Sequence, residues 1–107
     1  MDNEELVTAI RNGTDRKNNM ERLYLQNKGI MLKIARRYAA FADVDDLMQE
    51  AYFALENAVN TYDNTCGAKF TTHLSYHLKG AFFRFVGQNT GVHMSARDFE
   101  RLTKYKR

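Results

Sequence analysis

The 107-residue sequence has no proline, a single cysteine, Cys66, and no hydrophobic run as long as a membrane span. Without a second cysteine no internal disulfide can form, and a lone thiol fits a reducing cytoplasm. The acidic first residues, MDNEEL, also lack the basic and apolar regions of a signal peptide. We therefore expect a cytoplasmic protein with no membrane segment.

The motifs of enzyme active sites and of metal sites are missing as well. The sequence has no glycine-rich phosphate loop, no supported Ser-His-Asp or Cys-His set, and no CxxC or HExxH pattern. His73 and His77 have a spacing that can bind a metal, and Cys66 lies upstream, but two histidines on a helix are a weak signal. We expect no catalysis, no cofactor and no metal, and a metal-binding helical domain is only a third hypothesis.

The pattern of the chain predicts an all-α fold. The absence of proline and the scarcity of alternating β-branched runs argue against strands. A chain of this length folds as a single domain with one modest core. We predict four to five helices, over about residues 4–12, 16–41, 43–62, 71–87 and 95–105, with Asp43, Thr71 and Ser95 as N-caps.

The charge of the chain is divided between its two halves. Residues 1–63 carry 8 basic and 11 acidic side chains, whereas residues 64–107 carry 8 basic and 2 acidic ones. A basic end is often only solvated, but a division of this kind also indicates two partners of opposite charge.

The third predicted helix has two faces. Its core face holds apolar residues at helical spacing: Val44, Leu47, Met48, Ala51, Leu55, Ala58, Val59 and Tyr62. The opposite face, which we name the acidic stripe, consists of Asp46, Gln49, Glu50, Phe53, Glu56 and Asn57. Phe53 is either buried or an apolar anchor ringed by charge, and an exposed anchor would suit a basic partner helix.

The fourth predicted helix also has two faces. Phe70, Leu74, Leu78, Ala81 and Phe85 fall in one sector and predict the core, with Phe82 and Val86 open to either side. The other side, which we name the aromatic-basic face, consists of Lys69, His73, Tyr76, His77, Gly80, Phe83 and Arg84. Rings that stack on unpaired bases and cations that contact phosphates are typical of single-stranded nucleic-acid binding, although packing of these rings against other helices is the simpler alternative.

Residues 46–85, DLMQEAYFALENAVNTYDNTCGAKFTTHLSYHLKGAFFRF, resemble the second region of bacterial RNA polymerase sigma factors of the housekeeping-related class. The helix upstream, NKGIMLKIARRYA, resembles the preceding helix of that region, and VHMSARDFERLTKYK resembles the segment that leads to the third region. Residues 22–89 carry the core of the resemblance, and residues 90–107 the start of the linker. The helix-turn-helix of the fourth region has no counterpart, so we expect a region 2 module without it.

The resemblance implies two partners and no cofactor. Asp46, Gln49, Glu50 and Phe53 would dock on the coiled coil of the largest polymerase subunit. The fourth helix would recognise and melt the −10 promoter element by capturing bases of the non-template strand. The residues implied in DNA binding are Lys69, Phe70, Thr72, His73, Tyr76, His77, Lys79, Gly80, Phe83 and Arg84. An anti-sigma factor is a further implied partner. His73 and His77 also predict a pH dependence, because protonation of both side chains near pH 6 would tighten their contacts with phosphates.

The promoter-reading helix departs from the family pattern at several positions. His73, Tyr76, His77 and Gly80 stand where the family has a tyrosine, two tryptophans and a glutamine. Ala68, Phe83 and Ser95 replace a tyrosine, a threonine and a proline, whereas Lys69, Phe70, Thr72, Lys79 and Arg84 match. The alternative function is therefore a polymerase-binding regulatory module that has lost ordinary promoter reading.

Overall fold

A computed structural model of the chain describes residues 1–63, 65 and 67–90, with the side chains of residues 88–90 excepted. It contains four helices, which we number in chain order: α1 (Asn3–Arg11), α2 (Arg16–Arg36), α3 (Val44–Thr61) and α4 (Phe70–Thr90). No strand occurs in the described part, so the all-α prediction is confirmed. The predicted fifth helix and the linker after residue 90 lie outside the described residues.

Two of the helix starts are set by aspartate caps. The Asp43 carboxylate accepts a 3.0 Å hydrogen bond from the Asp45 backbone N–H, which confirms Asp43 as the N-cap of α3. Asp2 caps α1 and forms a reciprocal capping box with Glu5, which is absent from the caps predicted above.

The predicted C-terminal end of α2 and the predicted start of α4 need correction. The second helix ends at Arg36 and not at Phe41, because the next turn tightens into i→i+3 bonds, such as Tyr38 N–H to Ala35 C=O at 2.9 Å. Tyr38 remains buried in that turn, whereas Phe41 is 37% exposed. The fourth helix includes Phe70 as its first residue, so Thr71 is inside the helix and is not its cap.

The four helices enclose one core. Buried apolar side chains come from all of them: Leu6, Val7 and Ile10 from α1, Met20, Leu23, Met31, Ile34 and Ala35 from α2, Leu47, Ala51, Ala54, Leu55, Ala58 and Val59 from α3, and Phe70, Leu74, Leu78, Phe82 and Val86 from α4. Most of the predicted α3 core face is therefore confirmed, with Val44 and Met48 only half-buried.

The buried row of α4 differs from the predicted sector. Phe82 and Val86, left open by the sequence, are fully buried, whereas Ala81 and Phe85 are half-buried at the edge of the core. A row at every fourth residue turns by about 40° per step around a helix. The buried row therefore winds around α4. At its start Phe70 packs against Tyr62, which follows α3 in the chain, and further on Phe82 packs against Tyr38, which follows α2. The ring centroids of each pair are 5.4 Å apart.

None of the helices in the described part is long and apolar enough to span a membrane.

Gly29 in the middle of α2 offers a test of the helix itself. A Cβ atom added there would meet no heavy atom within 4 Å. We expect Gly29→Ala to raise the free energy of unfolding by about 1 kcal/mol, because alanine loses less backbone entropy in a helix than glycine. Urea unfolding of parent and variant measures the difference, and a destabilised variant would contradict an open, helical position 29.

Candidate interfaces on helices α3 and α4

The acidic stripe of α3 faces away from the core. Asp46, Gln49 and Asn57 are exposed, and Glu50 and Glu56 are half-buried. The Phe53 side chain is 59% exposed and packs into no part of the core. Of the two alternatives for this residue, an exposed aromatic among acidic and amide side chains is the one observed. The stripe has the composition of a docking site for a basic partner with an apolar contact at its centre.

The aromatic-basic face of α4 has one dominant aromatic. Tyr76 is 77% exposed, the largest exposure among the large hydrophobic side chains in the described part. Lys69 and Arg84 of this face are also exposed, and His73, His77, Gly80 and Phe83 are half-buried. Two further residues implied in DNA binding flank the face, Thr72 exposed and Lys79 half-buried. The face therefore presents one freely accessible ring between cations.

Phe70 does not belong to this face. The sequence placed it both in the core and, through the family resemblance, among the DNA-binding residues. Its side chain is fully buried and packs edge-on against Tyr62. The assignment of Phe70 to the DNA surface is corrected, because a core side chain cannot stack on a base without unfolding the start of α4.

A cleft between α3 and α4 joins the two surfaces. Its volume is about 140 Å³, and its lining residues are Glu50, Phe53, Ala54 and Asn57 of α3 and His77, Ala81, Arg84 and Phe85 of α4. The acidic stripe and the aromatic-basic face are thus neighbours across one cleft. A partner on either surface would change the surroundings of the other.

Thr61 links the end of α3 to the histidines of α4. Its hydroxyl oxygen lies 2.8 Å from the Asn57 carbonyl oxygen, 2.8 Å from His73 Nε2 and 3.1 Å from His77 Nε2. A carbonyl can only accept, so the single hydroxyl proton goes to Asn57. Both imidazoles must then donate their Nε2–H to the two lone pairs of the hydroxyl. This arrangement fixes both rings, whose centroids are 4.6 Å apart.

Thr61 is a residue of this site that no motif of the sequence marks, although its spacing carries a signal. Thr61 follows Asn57 by four residues and so continues the spacing of the acidic stripe. Its role depends on which residues of α4 face it, and the order of residues in one helix does not reveal that.

The surroundings of His77 disfavour its charged form. Burial lowers the pKa of His77 below its ordinary value of 6.5, and the positive charges of His73 and Arg84 lower it further. The expectation that both histidines are charged near pH 6 is therefore corrected for His77, which takes up its proton only under more acidic conditions.

The lowered pKa of His77 predicts a loss of stability in acid. The unfolded chain has the ordinary pKa, so it binds more protons than the folded chain as the pH falls through 6.5. We expect the contribution of His77 to the free energy of unfolding to decrease as the pH falls from about 7.5 through 6.5. His77→Gln should lose less stability over that range in urea unfolding. Equal losses in parent and variant would contradict the lowered pKa.

No group of three or more His, Cys, Asp or Glu side chains that could hold a metal ion occurs among residues 1–63, 65 and 67–90. Cys66, the third residue of the metal hypothesis, lies outside them.

Comparison with known proteins agrees with the resemblance of the sequence. The model of the sigma-70 region 2 family matches residues 23–91. The chain is 27% identical over 115 aligned residues to the RNA polymerase sigma factor SigA of Mycoplasma genitalium, and equally to that of Mycoplasma pneumoniae. Each alignment covers 99% of this chain and 23% of the relative, so the chain spans about a quarter of their length. No solved structure matches significantly. Helix α1 lies outside the segment that the family model matches.

Proposed function

The chain belongs to the sigma-70 region 2 family, and from that membership we propose that it binds RNA polymerase core and takes part in recognising and melting the −10 promoter element. It would act in the cytoplasm, and the polymerase would supply the chemistry. The observation that carries this proposal is the exposure of Phe53 in the middle of the acidic stripe. An aromatic side chain held in water by its own fold gains most from a partner that covers it.

The acidic stripe is the surface through which the chain would dock on RNA polymerase. Asp46, Gln49 and Glu50 would surround Phe53 and face a basic surface of the partner, for which we propose the coiled coil of the largest polymerase subunit. The charge of the stripe favours encounter with such a surface and selects its orientation. Burial of the Phe53 ring would supply most of the affinity.

Helix α4 is the element that would bind nucleic acid. Tyr76 offers its ring to an unpaired base, and Lys69 and Arg84 would contact the flanking phosphates. Stacking of this kind requires bases that have left the duplex, so the chain should prefer the single non-template strand of the −10 element over duplex DNA. Binding by the isolated chain should be weak, because the surface has few cations.

Replacing Tyr76 with alanine tests the proposed binding of nucleic acid by α4. We expect Tyr76→Ala to weaken binding of a labelled single strand by about 1–3 kcal/mol, because one stacking contact is lost. The dependence of the affinity on salt should change little, because no cation is removed. Fluorescence anisotropy at several salt concentrations, with the chain alone and with core polymerase, gives both quantities.

Lys69→Ala and Arg84→Ala are the matched comparisons. Each removes a cation and keeps the Tyr76 ring, so each should weaken binding to all sequences and reduce the salt slope by up to about 0.7 per lost phosphate contact. If Tyr76→Ala lowers the salt slope as these variants do, or changes nothing, Tyr76 does not stack on a base.

The structure also gives weight to a second candidate, a regulatory module that docks on polymerase without reading promoters. On α4 the side chains of His73 and His77 contact Thr61, and Phe83 is half-buried against the core. Only Tyr76 remains as a large, strongly exposed ring among the described residues of α4. Polymerase binding without any effect of Tyr76→Ala on DNA binding would favour this candidate.

A further inference from the structure

Helix α1 contacts both ends of the segment that connects α3 to α4. A guanidinium nitrogen of Arg11 donates a hydrogen bond to the Tyr62 carbonyl oxygen, at the C-terminal end of α3. A carboxylate oxygen of Glu4 accepts a hydrogen bond of 2.8 Å from the Phe70 backbone N–H, at the first residue of α4. Glu4 and Arg11 are seven residues apart, which is about two helical turns, so they lie on one side of α1.

The charges of these two residues match the helix ends that they contact. The C-terminal end of a helix carries partial negative charge and unpaired carbonyls, which a cation such as Arg11 satisfies. The N-terminal end carries partial positive charge and unpaired N–H groups, which a carboxylate satisfies. Glu4 therefore acts as the cap of α4 from a distant part of the chain, where the sequence predicted a local cap, Thr71.

Tyr62 transmits the contact of Arg11 to α4. The Tyr62 hydroxyl donates a hydrogen bond of 2.6 Å to the Ala68 carbonyl oxygen, close to the start of α4. The Tyr62 ring packs against Phe70, and its centroid lies 5.7 Å from the centroid of the His73 ring. A shift of the Tyr62 backbone would thus reach the first turn of α4.

We propose that Glu4 and Arg11 are positioning residues that hold the first turn of α4, and with it the preceding Lys69, in the orientation that binds single-stranded nucleic acid. This inference rests on the nucleic-acid role proposed for α4. It assigns a function to α1, which the family model does not cover. The bound strand need not contact either residue.

A purely electrostatic role for Glu4 predicts the opposite result. As a negative charge at the start of α4, where it contacts the Phe70 backbone N–H, Glu4 would repel phosphates, so its removal would tighten binding. As a positioning residue it holds the binding turn in place, so its removal should weaken binding. The sign of the change in affinity distinguishes the two roles.

The first measurement is amide hydrogen exchange by NMR on the full 107-residue chain. Glu4→Ala should speed exchange of the Phe70 amide about fivefold, as expected for loss of a helix cap. Glu4→Gln keeps an acceptor oxygen and should retain part of the protection. Glu21→Ala, the control, removes an equal charge from an exposed position of α2. Unchanged exchange at Phe70 in Glu4→Ala would overturn the proposal.

The second measurement is anisotropy with a labelled −10 single strand. We expect Glu4→Ala and Arg11→Ala each to weaken binding about fivefold, the loss of one cap, and Glu21→Ala to leave it equal or slightly tighter. Glu4→Ala binding as tightly as Glu21→Ala, or more tightly, would overturn the positioning role. If the parent chain binds no strand, alone or with polymerase, while Glu4→Ala still loses protection at Phe70, the nucleic-acid role of α4 fails and the structural contact of Glu4 stands.

Discussion

Leu55→Ala is expected to lower the free energy of unfolding by about 2–5 kcal/mol. Leu55 lies in the centre of α3 with its side chain fully buried. Truncation removes apolar atoms from the core and leaves a cavity that the surrounding helices fill only in part. Because small domains are stable by about 5–15 kcal/mol in total, a loss of this size brings the domain close to unfolding at ambient temperature.

Leu25→Ala is the matched control for this experiment. It makes the same chemical change in a neighbouring helix, but the Leu25 side chain is 60% exposed. Its effect should stay within about 0.5 kcal/mol of zero. Urea unfolding followed by circular dichroism compares the variants, and equal effects of the two substitutions would mean that Leu55 does not lie in the core.

Phe53→Ala and Glu50→Lys are expected to weaken binding to core polymerase, each by about 2 kcal/mol or more, with little change in helicity. Phe53 would lose the apolar contact at the centre of the docking surface. Glu50→Lys would place a cation opposite a basic partner. Because neither change empties the core, stability should change far less than in Leu55→Ala.

Leu25→Ala also controls this second experiment, since Leu25 is as exposed as Phe53 but lies on α2. A quantitative pull-down or interferometry with core polymerase from the same organism measures the affinities. If Phe53→Ala and Glu50→Lys bind as the parent does, the docking surface lies elsewhere. If Leu25→Ala weakens binding equally, the effect is not specific to the acidic stripe.

The local features of this fold could be predicted from the sequence because they depend on residues close together in the chain. Asp43 caps α3 through the backbone two residues on, and Leu47, Ala51 and Leu55 repeat at helical spacing. The exposed side of α3 followed from the same periodicity. Membership of the sigma-70 region 2 family was likewise visible in continuous motifs such as DLMQE and GAKFTT.

The features that the sequence did not predict depend on tertiary contacts. Periodicity alone placed Phe85 in the core and left Phe82 open, whereas Phe82 is the fully buried ring, because the buried row of α4 winds from α3 toward α2. The cap of α4 comes from Glu4, which precedes Phe70 by 66 residues. The contacts of His73 and His77 with Thr61 join two helices, and they explain why these rings are less available to a base than the sequence suggested.

The anisotropy of a labelled −10 non-template strand, titrated with core polymerase with and without this chain, tests both proposed surfaces together. We expect the chain to confer binding of the single strand in preference to duplex, and Phe53→Ala and Tyr76→Ala each to reduce that binding, the first by loss of docking and the second by loss of stacking. No difference between polymerase with and without the chain would contradict a role of the chain in −10 recognition. Binding that neither substitution affects would contradict the two surfaces assigned to α3 and α4.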